Sequence, residues 1–135
     1  MRFASRYIAT PIIFVLFLLI SIDSFEQTIR IMPFGNSITE GTDGDPPAES
    51  QRIAYRYTLY SLLTAAGYDF EFVGHRWSGY GIFPDAYHAG IPGTRDQYLV
   101  RLLQDGYDER WDLQITQNSQ PYLDVYPADI ILLHI

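Results

Sequence analysis

The run "ADIILLHI", Ala128 to Ile135, sets four branched apolar residues side by side with no polar alternation. A strand with one wet face shows every second side chain to water; a continuous apolar run suits a strand buried on both faces of a parallel sheet. Such a sheet needs helices on both sides, joined to it by crossovers. The rest of the chain supplies them. Thr28 to Phe34 is β-rich and reads as strand one, and "YDFEFVG", Tyr68 to Gly74, alternates and reads as strand two. Between them a helix starts near Ser50, with Ile53, Tyr57, Leu59, Leu62, Leu63 and Ala66 at helical spacing and Gly67 placed to close it. The order βαβαβ is that of an α/β three-layer sandwich with a parallel sheet.

Punctuation fills in the remainder. "DGDPPAESQ", Asp43 to Gln51, is a polar loop broken by Pro46 and Pro47, and the stretch from Gly74 to Gly93 reads mostly as loop. Thr94 with Gln97 offers a capping box for a second helix, whose apolar face is Tyr98, Leu99, Leu102 and Leu103 and whose end is Gly106. A short helix is expected between Asn118 and Val125.

Arg2 and Arg6 precede a run of twelve residues, Pro11 to Ile22, apolar except for Ser21. That is shorter than the roughly 20 residues a hydrocarbon core requires. Residues 1–24 therefore read as a signal peptide with cleavage near Ser24-Phe25, leaving 25–135 as a secreted chain with no integral membrane span after processing, with an uncleaved membrane anchor as the alternative. The chain has no Cys, which excludes a disulfide framework and a thiolate zinc site. It has nine basic residues, all Arg, against sixteen acidic ones, for a formal charge of -7. That balance argues against nucleic acid as a partner. Asp43, Asp45 and Glu49 lack calcium-loop spacing and read as a solvated acidic loop. Tyr55, Tyr57 and Tyr60, or the later loop aromatics Trp77, Tyr80 and Tyr87, are able to stack on a sugar, although such residues more often fill cores or interfaces.

The chemistry concentrates in "IRIMPFGNSITEG", Ile29 to Gly41. Ser37-Ile38-Thr39-Glu40 fits a Ser-x-x-Glu capping box, so Ser37 reads as a helix cap. It reads equally as a nucleophile shown at a strand end, with its own N–H as an oxyanion donor. Local sequence leaves both open.

Three blocks together resemble the SGNH (GDSL) ester hydrolases: "FGNSITEG", "HAGIPG" from His88 to Gly93, and "PADIILLHI". The wording is most similar to the carbohydrate-esterase branch. The resemblance implies a flavodoxin-like sandwich, Ser37 as nucleophile and oxyanion donor, and Gly93 as a second oxyanion N–H. It implies an acylated carbohydrate or small ester as substrate, and no cofactor or metal. Asn36 stands where many members carry Asp. The family's Gly-x-Asn-Asp block would follow Ile135, and its Asp-x-x-His segment is absent, so the chain is expected to be the N-terminal part of the domain, incomplete at the C-terminus and inactive alone. His75, His88 and His134 are expected in surface or packing roles. A non-catalytic carbohydrate-binding or decoy module is the alternative. Unprotected, the strand Ile130 to Ile135 would present an apolar edge prone to self-association.

Overall fold

The computed structural model of the protein describes residues 27–42 and 47–135, so the expected leader lies outside the described residues. β1 (Ile29–Gly35) is the hub of the sheet. β2 (Phe70–Phe72) pairs with its first half and β4 (Tyr87–Gly90) with its last two residues, while β7 (Ile130–His134) runs along its other edge, all parallel. β3 (Arg76–Trp77) adds an antiparallel strand to β4. A separate two-stranded ribbon joins β5 (Tyr107–Asp108) to β6 (Leu113–Gln114).

Alternate residues of β1 enter two cores. Ile31 packs with Phe72, Phe83 and Ala86 beneath Ile53, Leu59 and Leu63 of the α2 side (α2, Ala54–Ala65). Met32 and Phe34 face Leu99 and Leu102 of α3 (Asp96–Asp105) and Tyr122 of α4 (Tyr122–Val125). This is the expected α/β sandwich, helices on both faces of a largely parallel sheet. Among the described residues no helix is long and apolar enough to cross a membrane.

Several local readings are corrected. The stretch from Gly74 to Gly93 holds two strands, β3 and β4, too short to show a period. The ribbon of β5 and β6 was likewise missed. The α2 face is not purely apolar: Arg56 is its fully buried residue, while Tyr57 and Leu62 are exposed. The start of α3 is not capped by Thr94. Arg95 holds the N-cap position without a side-chain bond, and Thr94 is buried. The end of that helix is as expected, with Gly106 left-handed and its N–H donating to the Leu102 carbonyl. β7 does not have both faces covered by the described residues. Ile131 is 41% and Leu133 60% exposed, since β1 is the only strand beside β7 among them.

Candidate active site

The strands β1, β4 and β7 end together. Gly35 lies opposite Gly90 on one side and His134 on the other, and the Ile91 N–H donates to the Gly35 carbonyl at 2.8 Å. In open parallel sheets, the carboxyl ends of the strands are where ligands bind. Here the chain leaves β1 through Asn36, which is extended, and enters the single turn of α1 (Ser37–Glu40).

The capping reading of Ser37 fails. Asn36 is the N-cap: its side-chain Oδ1 accepts from the Ile38 N–H at 3.0 Å, and its carbonyl accepts from Thr39 and Glu40. The reciprocal Glu40 contact does not form either, because that carboxylate turns inward and is fully buried. With Asn36 as cap, Ser37 is the first helical residue. Its carbonyl is held by the N–H groups of Gly41 and Thr42 at 2.8 and 3.1 Å. Its hydroxyl and its N–H have no partner among the described residues, and the residue is half-buried.

The turn is anchored from below. Glu40 Oε1 accepts from Arg52 at 2.8 Å and from Arg76 at 3.0 Å. The guanidinium of Arg56 donates to five carbonyls, those of Thr39, Glu40, Arg52, Ser78 and Ala86, at 2.6–3.1 Å. Burial lowers its pKa to about 10, which leaves it cationic at neutral pH. Glu40 Oε2 and Arg76 Nε stay buried without a partner.

Gly93 follows β4 by three residues, at the same end of the sheet as Ser37. It is left-handed, with φ of 74°, and exposed; its N–H has no partner among the described residues. Arg110, unremarked from sequence, lies over it, its Nε 2.9 Å from where a Gly93 β-carbon would stand. A cleft of about 500 Å³ opens beside α1, lined by Ile38, Gly41, Ile53, Ala54, Tyr55 and His134.

The fold also builds a serine–histidine pair that sequence reasoning did not foresee. Ser78 Oγ lies 2.7 Å from His88 Nε2. It cannot work as nucleophile and base. His88 Nδ1 accepts the Gly90 N–H at 2.9 Å, so the neutral ring carries its proton on Nε2 and donates to Ser78. Burial, with Arg56 and Arg76 nearby, lowers the His88 pKa to about 2. His75 is similarly committed. Tyr122 Oη accepts the His75 N–H at 3.1 Å and lies in hydrogen-bond contact with Nδ1 at 2.7 Å, and burial lowers the ring's pKa to about 4. His134 presents its ring to Tyr55, centroids 6.2 Å apart. Among the described residues no group of three or more His, Asp or Glu gathers to hold a metal.

No protein-family model and no curated protein matches the chain. A solved structure similar to it is the Clostridium thermocellum family 3 carbohydrate esterase, with a TM-score of 0.60 and 31% sequence identity over 79% of this chain. The chain spans 43% of the length of that structure. At the level of the fold, this likeness agrees with the resemblance read from the three sequence blocks.

Proposed function

We propose that the chain carries the nucleophile and two oxyanion donors of a serine ester hydrolase acting on O-acyl groups of a carbohydrate. The observation that carries this reading is the state of Ser37: its carbonyl is fixed twice, while its hydroxyl and N–H are free. Attack by Ser37 Oγ forms a bond to the ester carbonyl carbon and moves the π pair onto oxygen. The N–H groups of Ser37 and Gly93 are suited to hold that oxyanion, and collapse expels the alcohol to leave an acyl-serine that water hydrolyses. The neighbour's name supports the substrate class. Residues 1–24 act as the export leader in this reading, and the secreted chain begins near Phe25.

The proton of Ser37 needs an acceptor, but the acceptor nitrogen of His88 is already occupied, the His75 ring is held against Tyr122, and the His134 ring packs against Tyr55. A general base typically contributes about 100- to 10,000-fold. The 135-residue chain should therefore turn over p-nitrophenyl acetate no faster than Ser37→Ala. Added imidazole, an external base, should speed wild type and not the variant. Intact mass and peptide mapping should find the acetyl group on Ser37. Acetylation spread without preference over exposed serines and tyrosines would reject the reading. The occupied histidines would then favour a non-catalytic carbohydrate-binding module.

A further inference from the structure

Trp77, Tyr80 and Tyr87 form an exposed aromatic strip on the ribbon of β3 and β4. Trp77 faces Tyr87 across the antiparallel pair, ring centroids 6.3 Å apart and planes 25° from parallel. It stacks on Tyr80 at 4.3 Å and 26°. The three are 49%, 41% and 48% exposed in the order Trp77, Tyr80, Tyr87, while Ser78, Phe83 and His88 around them are buried. Core filling is thus excluded for them. The loop that carries Tyr80 is pinned, since the N–H groups of Gly79 and Gly81 donate to the Glu49 and Ser50 carbonyls at 2.8 Å each. The strip is held in place before any ligand arrives, which lowers the ordering cost of binding.

We propose that this strip is a docking platform for a neutral, extended polysaccharide chain. A pyranose ring offers one face of C–H groups, which packs against the electron-rich face of an indole or phenol. A protein partner fits less well. Half-exposed rings that bury 150–250 Å² each when covered offer together roughly 200–400 Å², against about 800 Å² per partner in a stable interface. The net charge of -7 disfavours an acidic polymer. Polar partners for sugar hydroxyls are at hand, because Tyr87 borders a cleft of about 240 Å³ that the Arg30–Glu71 ion pair also lines. Tyr87 begins β4, and the strand ends at Gly90 beside Gly35. Three strand residues span about 10 Å, so a docked chain lies within a few sugar units of Ser37. The choice of a carbohydrate rests on the ester-hydrolase reading above; the strip itself does not.

Affinity gel electrophoresis and fluorescence titration test this with hydroxyethylcellulose and soluble xylan, whose chains are extended, and with dextran as the coiled control. A Trp111→Phe background leaves Trp77 as the sole indole reporter. Retardation by at least one extended polymer and not by dextran is expected. Trp77→Ala should weaken binding about tenfold or more, as for a buried aromatic anchor, and Trp77→Phe should retain most of it. Tyr80→Ala should weaken it as well. Ser37→Ala should bind like wild type, and Trp77→Ala should still accept acetyl from p-nitrophenyl acetate at Ser37. Binding without that acetylation sinks the ester reading and leaves the platform standing. Acetylation without binding of either extended polymer overturns the platform. So does a dimer that Trp77→Ala abolishes in a chain neither extended polymer retards, for the strip would then join two copies.

Discussion

The backbone carbonyl of His134 occupies the space that a β-carbon on Gly35 would need, so β1 and β7 meet where only glycine fits. Gly35→Ala should lower stability by about 3 kcal/mol or more in urea unfolding, through overpacking that the backbone cannot relieve. It should also slow acetylation of Ser37, two residues on. Gly67→Ala is the control. Nothing crowds that position, and its φ of 77° alone should cost about 1 kcal/mol.

Arg56→Met should be among the most damaging single changes in the described chain. It removes the donor shared by five carbonyls from separate segments and leaves them buried. A loss of about 3–5 kcal/mol is expected by chemical denaturation. Arg56→Lys should recover little, because an ammonium cannot present a planar fork of donors.

Stability should fall as the solution is acidified below pH 6.5. His75 and His88 have folded pKa values of about 4 and about 2, below the ordinary 6.5. Their contribution is complete above 6.5 and is lost as pH falls toward those values, since the unfolded chain takes up protons that the folded one refuses. Asp85 opposes this. Burial raises it from 3.8 to about 6, so its contribution is present below 3.8 and lost as pH rises to about 6. The two histidines carry the larger shifts and are the better buried, so they prevail. Melting curves from pH 6.5 to about 4 should show a falling midpoint, and His88→Gln should flatten the slope. A midpoint rising over that range would contradict the assignment.

Ile131→Lys together with Leu133→Lys should raise solubility and reduce self-association in sedimentation. Both side chains stand exposed on a strand whose outer edge has no partner among the described residues. Charged edge residues are a common protection against strand-to-strand pairing. Unchanged sedimentation in the double variant would show that association, if any, runs through another surface.

The order of elements was legible because its signals are local. The unbroken apolar run at Ile130–Leu133, the helical spacing of Leu99 and Leu102, and the glycine at 106 each act within a few residues, and each has its counterpart in the structure. Ser37 at a strand end followed from the same reading, and so did Gly93 ahead of a helix. β4 was not legible. Four residues among glycines and prolines make a strand only because β1 offers them partners at Phe34 and Gly35.

What local sequence could not decide was which residue caps α1. Asn36 and Ser37 are both good caps, one position apart. The choice comes from about a hundred residues away, where the His134 carbonyl takes the Asn36 N–H at 3.2 Å and keeps that residue in line with β1. Asn36 becomes the last extended residue, hence the cap, and Ser37 is released. Arg56 is a second case. On its helix it is one more charged residue, and its burial depends on carbonyls delivered by α1 and by the loops at Arg52, Ser78 and Ala86. The same holds for Trp77, Tyr80 and Tyr87, whose sequence composition fits a core equally well. Periodicity and punctuation are short-range properties, so the sequence by itself determined the helices α2 and α3, the strands β1, β2 and β7, and the ends at which chemistry sits. Caps, buried donors and exposed rings are settled by which distant backbone groups arrive beside them, and that only the tertiary structure decided.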